Sequence, residues 1–164
     1  MTTTQNPITT DTLVVEFLAR ANVKFSVHLV GETKRDDWKC DEWRTRFEAG
    51  RADYENAYYT GTGHRKIVRG FSASMMPGAR MVRGQWQAEG KPQAPSAASV
   101  LHSWILDGRA IDQSFADWCA NFGYDEDSRK ALQTYSDCCE IGRKLRVIFS
   151  PTQRAELETL LQDY

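Results

Sequence analysis

Between Ser114 and Phe149 the chain reads as a short helix, a tight turn and a long amphipathic helix, and this stretch constrains the fold more than any other. Ser114 is placed to cap the first helix, with Asp117 three positions on as a variant of the capping box. Phe115, Trp118, Cys119 and Phe122 recur at spacings of three and four, which puts them on one helical face. Gly123 then stands where a C′ glycine takes positive φ without steric cost. The run Asp125-Glu126-Asp127-Ser128 is expected to open the long helix, with carboxylates at its positive end and Arg143, Lys144 and Arg146 near its negative end. Along it Ala131, Tyr135, Cys138, Gly142, Leu145 and Phe149 form a stripe, widened by Leu132, Cys139, Ile141 and Ile148.

Upstream the periodicity changes from helical to alternating. Asp11 is expected to cap a short helix carrying Leu13, Val14, Phe17 and Leu18, ended by Asn22. Phe25, Val27 and Leu29 then alternate with polar residues, and so do Trp43, Thr45 and Phe47 against Arg44, Arg46 and Glu48. Both runs predict strands, separated by a charged loop from Gly31 to Asp41. Tyr54 to Thr60 supplies a third strand after the turn at Gly50, and three such strands suggest an antiparallel meander. Residues 61–95 are rich in glycine and proline and read as a loop or hairpin region, with Ile67-Val68 and Met81-Val82 as short strands. A helix is expected over 96–106. A last one starts at Ser150-Pro151-Thr152-Gln153, with serine as N-cap, proline at N1 and glutamine at N3.

The expected fold is therefore a single α+β domain over residues 1–164. An N-terminal antiparallel sheet of three to five strands (23–60) is packed with a C-terminal helical bundle (96–164), and residues 1–10 are flexible. With 41% apolar and 26% charged residues the composition is that of a soluble globular domain. No apolar run approaches a membrane span. The start MTTTQNPITT lacks the basic and apolar blocks of a signal peptide, so the expected setting is a cytoplasm. Four cysteines without paired spacing fit a reducing compartment.

Two groups of residues resemble a known set of proteins. Phe115-x-x-Trp118-Cys119-x-x-Phe122-Gly123-Tyr124-x-x-Asp127-Ser128-Arg129-Lys130-Ala131, followed by Tyr135 and Cys138, is similar to small proteins encoded by bacteriophages and prophages. Asp37-Trp38-Lys39-Cys40-Asp41-x-Trp43 and Tyr58-Tyr59-Thr60-Gly61-Thr62-Gly63-His64-Arg65-Lys66 look like the N-terminal half of that group. The resemblance runs from about residue 23 to 149 by motif order. It implies a phage or mobile-element origin and a bacterial host cytoplasm, with no particular activity. Small phage proteins of this size often counter host defences, anti-CRISPR proteins among them.

The net charge of −1 conceals an uneven distribution. Residues 1–55 balance at −2, residues 56–95 at +5 and residues 96–164 at −4. Such a profile is unlike that of a DNA mimic, which presents an acidic array. Gly61-Thr62-Gly63-His64-Arg65-Lys66 lacks the spacing of a phosphate-binding loop and reads as a turn with solvated cations. His28, His64 and His102 have no ligand neighbours at metal spacing. No nucleophile stands in a recognisable catalytic motif, so neither an enzyme nor a cofactor or metal is expected.

The expected partner surface is Arg65, Lys66, Arg69, Arg80 and Arg83, with Tyr58, Tyr59 and Trp86 as aromatic anchors. The expected function is macromolecular binding: inhibition of a host protein complex, a CRISPR effector being the concrete case. The alternative is a nucleic-acid-binding accessory protein using the basic 65–83 stretch. The oligomeric state, monomer or homodimer, stays open.

Overall fold

A computed structural model describes residues 7–35, 38–61, 67–68, 79–82, 85–88 and 94–164. The fold is α+β: helix α1 (Thr10–Arg20) precedes an antiparallel sheet of β1 (Lys24–Arg35), β2 (Trp38–Ala49) and β3 (Ala52–Gly61), in that order. Short strands β4 (Ile67–Val68), β5 (Ala79–Val82) and β6 (Gln85–Ala88) follow. The chain ends in α2 (Ala97–Gly108), a 3-10 turn (Arg109–Asp112), α3 (Phe115–Phe122), α4 (Arg129–Ile148) and α5 (Pro151–Leu160).

Two compact units are formed. The first comprises residues 1–25, 46–54 and 96–164; the second comprises 26–45 and 55–95. The core of the first unit holds Val14, Phe17, Leu101, Trp104, Phe149 and Leu157, all buried. Phe47 of β2 is fully buried and meets Phe25 and Trp104, with ring centroids 5.0 and 5.1 Å away. Strand alternation is what directs it there, since Arg46 and Glu48 on either side point outward and pair with each other at 3.0 Å. In the second unit Trp43 and Thr45 are buried as their alternation predicts. Trp43 Nε1 donates to Thr60 Oγ1 at 2.8 Å and Thr45 Oγ1 donates to the Asn56 carbonyl at 3.2 Å, so both polar atoms are satisfied across β2 and β3.

The helical caps follow local chemistry. Ser114 Oγ accepts from the Asp117 N–H at 3.1 Å, and α3 ends at Gly123, which adopts φ +73°. Ser150 and Gln153 form a reciprocal capping box with Pro151 at the first helical position. Between α3 and α4 lies an aromatic and thiol cluster. Trp118 stacks on Tyr124 at 4.8 Å and meets Tyr135 at 5.5 Å, with Cys119 and Cys139 buried beside them. The C terminus is also tied down: Tyr164 hydroxyl lies 2.7 Å from Ser99 Oγ and 3.2 Å from Ser96 Oγ.

Several expectations need correction. The segment expected as a loop from Gly31 to Asp41 is strand on both sides of residues 36–37. Glu32 of β1 and Lys39 of β2 come within 3.9 Å of each other, so cross-strand pairing accommodates charge here. Helix α1 is capped by Thr9, whose hydroxyl accepts from the Thr12 N–H at 3.2 Å; Asp11 sits within the first turn. Helix α4 is capped by Ser128, and Asp125-Glu126-Asp127 precede it. Asp125 Oδ1 accepts from the Asp127 N–H at 3.0 Å, a local bond that holds the backbone in a turn and delays the helix. Leu132 lies outside the buried stripe at 54% exposed, and Leu29 is also exposed. Strand β6 (Gln85–Ala88) adds to the short strands that the sequence suggests at Ile67-Val68 and Met81-Val82.

Candidate binding surface

Four of the eight residues expected to contact a partner are described, and all four fall in the second unit. Tyr58 and Tyr59 sit on consecutive positions of β3, and both are half-buried. Arg80 lies in β5 and Trp86 in β6. Antiparallel register sets Arg80 opposite Gln87, and Trp86 opposite both Met81 and Val68. Strand β6 is thus the centre of the small sheet, in the order β4-β6-β5. Arg65, Lys66, Arg69 and Arg83 lie outside the described residues.

Charge follows the division into units. Residues 26–45 and 55–95 carry ten basic and seven acidic side chains, a balance of +3. The helical unit carries eleven basic and fifteen acidic, a balance of −4. By sequence, the segments assigned to the two units thus carry opposite net charge.

No protein-family model, curated protein or solved structure matches the chain.

Other titratable groups have structural partners. Arg46 grips Asp53 through two hydrogen bonds, Nε to Oδ1 at 2.7 Å and Nη2 to Oδ2, and the guanidinium holds the Asp53 carboxyl below its ordinary range. Burial pushes the Cys138 thiol up to about 11, with Asp107, Cys139 and Asp137 adding to the shift. Cys119 is raised as well, by burial first and then by Glu126 and Asp125. Such thiols are poor nucleophiles at neutral pH. Among the described residues no group of three His, Cys, Asp or Glu side chains is placed to hold a metal ion. His102 makes a ring contact with Tyr164, centroids 5.6 Å apart, and His28 is exposed. Among the same residues no helix is long and apolar enough to cross a membrane.

Proposed function

We propose that the protein is a non-catalytic binding protein that inhibits a bacterial defence complex by occupying it, in the manner of an anti-CRISPR protein. The observation that supports this reading is the charge division: the β-rich unit is +3 and the helical unit −4. A basic segment rich in arginine and aromatic residues is suited to an acidic face of a protein assembly, where arginine and tyrosine dominate contact energy. The resemblance of the Phe115–Cys138, Asp37–Trp43 and Tyr58–Lys66 motifs to small phage proteins is what suggests the biological setting. Inhibition would act by steric occlusion or by locking a conformational step, and neither needs a catalytic group.

The same charge division favours a second reading, an accessory protein that binds nucleic acid through residues 65–83. The two separate on one experiment. The tagged protein is used to capture partners from bacterial lysate, half of it treated with nuclease, with partners identified by mass spectrometry. Stoichiometric recovery of one defence complex in both halves is expected for an inhibitor. Loss of every partner after nuclease would overturn the inhibitor in favour of the nucleic-acid reading.

A further inference from the structure

The helical unit contains a hollow that the proposed binding surface does not use. It lies where α2, the 3-10 turn, α4 and α5 meet, and its volume is about 200 Å³. Ile105, Ile111, Leu145 and Leu157 give it an apolar lining. Three arginines from separate elements, Arg109, Arg146 and Arg154, line it as well, together with Asp112 and Glu158. Arg109 and Glu158 also line a neighbouring hollow of about 290 Å³.

The charges do not balance. Arg146 pairs with Asp112 at 2.5 Å, which neutralises both. Arg154 donates to the Phe149 carbonyl at 2.9 Å; that bond fixes its guanidinium and leaves its charge uncompensated. Among the described residues no carboxylate pairs with Arg109 and no cation pairs with Glu158. Two cations thus stand against one carboxylate, and a single negative charge brings the lining to neutrality.

We infer that this hollow is a binding site for a small monocarboxylate with an apolar body. Its carboxylate is directed to Arg109 and Arg154, whose planar forks match a carboxylate's two oxygens. The hydrocarbon part lies on Ile105, Leu145 and Leu157. The size fits, since a cavity of about 150 Å³ already holds a benzene ring. A dianionic phosphate ester overshoots the charge, and a neutral ligand leaves it unbalanced. This inference is independent of the proposed function.

The test is an amide NMR titration of the full chain with benzoate and with isovalerate, using benzyl alcohol as the neutral counterpart. Both acids are expected to give saturable shifts confined to residues 105–112, 142–146 and 154–158, with Kd of about 0.1–1 mM. Benzyl alcohol is expected to bind at least about tenfold more weakly. Arg109→Gln is expected to weaken the acids about tenfold and Glu158→Gln to tighten them, the two changes having opposite signs. Both side chains are exposed, so circular dichroism should show an unchanged fold. The assignment is overturned by equal binding of benzyl alcohol, by affinities unchanged in both variants, or by no saturable shift in those segments with either acid.

Discussion

Gly142 shows how one residue can set the distance between two helices. A Cβ built there would lie 2.6 Å from the Gly108 carbonyl oxygen and 3.0 Å from Ile111 Cγ2, so α2 and α4 cross with almost no room between backbones. Gly142→Ala is therefore expected to destabilise the fold by about 1–3 kcal/mol, as overpacking does. Gly123→Ala works differently: space is open around it, and the cost of about 1 kcal/mol comes from holding alanine at φ +73°. Urea denaturation of both variants checks the two figures, and a neutral Gly142→Ala would contradict the close crossing. The sequence marks Gly142 only as one position on a stripe, because its reason lies on another helix more than thirty residues away. The thiols make a second residue-level prediction. With Cys138 at about 11 against an ordinary 9.0, its thiolate is about a hundredfold scarcer at pH 8. Iodoacetamide should label it correspondingly slowly in the native protein and rapidly after unfolding; native labelling at the rate of a small free thiol would contradict its burial.

Among the elements, those whose signals are local were the legible ones. The capping box of α5, the left-handed stop of α3 and the inward set Trp43, Thr45 and Phe47 are all decided within a few residues of sequence. Ser150→Ala should cost about 1 kcal/mol by removing that cap. Phe47→Ala should cost about 3–5 kcal/mol, because it vacates a site shared with Phe25 and Trp104. The same denaturation experiment ranks them, and a larger effect at Ser150 would reverse the account. Illegible from sequence were elements fixed by pairing. Residues 31–35 and 38–41 carry so many charges that they resemble a loop until a neighbouring strand supplies opposite charges, as Lys39 does for Glu32. Acid sensitivity belongs at this scale too. Arg46 lowers the Asp53 carboxyl in the folded state, so the stabilisation is fully present above about pH 4 and is lost as pH falls through the lowered value. Asp53→Asn should flatten that acid limb of a stability–pH curve; an unchanged limb would show that the Arg46 clamp contributes nothing.

For the whole molecule, the excess of cations in residues 56–95 is visible in sequence, but its coincidence with a compact unit is not. Each compact unit mixes segments from distant parts of the chain. The carboxylate hollow was hidden for a related reason: Arg109, Arg146 and Arg154 come from separate elements and form no linear motif. Charge on the β-rich unit also predicts how binding responds to salt. If the partner is nucleic acid, affinity should fall steeply and linearly with the logarithm of salt concentration, by a slope that counts the phosphates contacted. A protein partner with a desolvated arginine and aromatic centre should show a shallower dependence, concentrated in the association rate.

We propose that the basic β-rich unit makes the partner contact. The most direct measurement compares partner capture from nuclease-treated lysate by three proteins: the native chain, a variant carrying Arg65→Glu, Arg69→Glu, Arg80→Glu and Arg83→Glu, and a control carrying Asp125→Lys, Glu126→Lys and Asp127→Lys in the helical unit. Loss of the captured complex in the first variant, with retention in the control, is the predicted result. Undiminished capture by the first variant would contradict the claim and move the contact away from the basic unit.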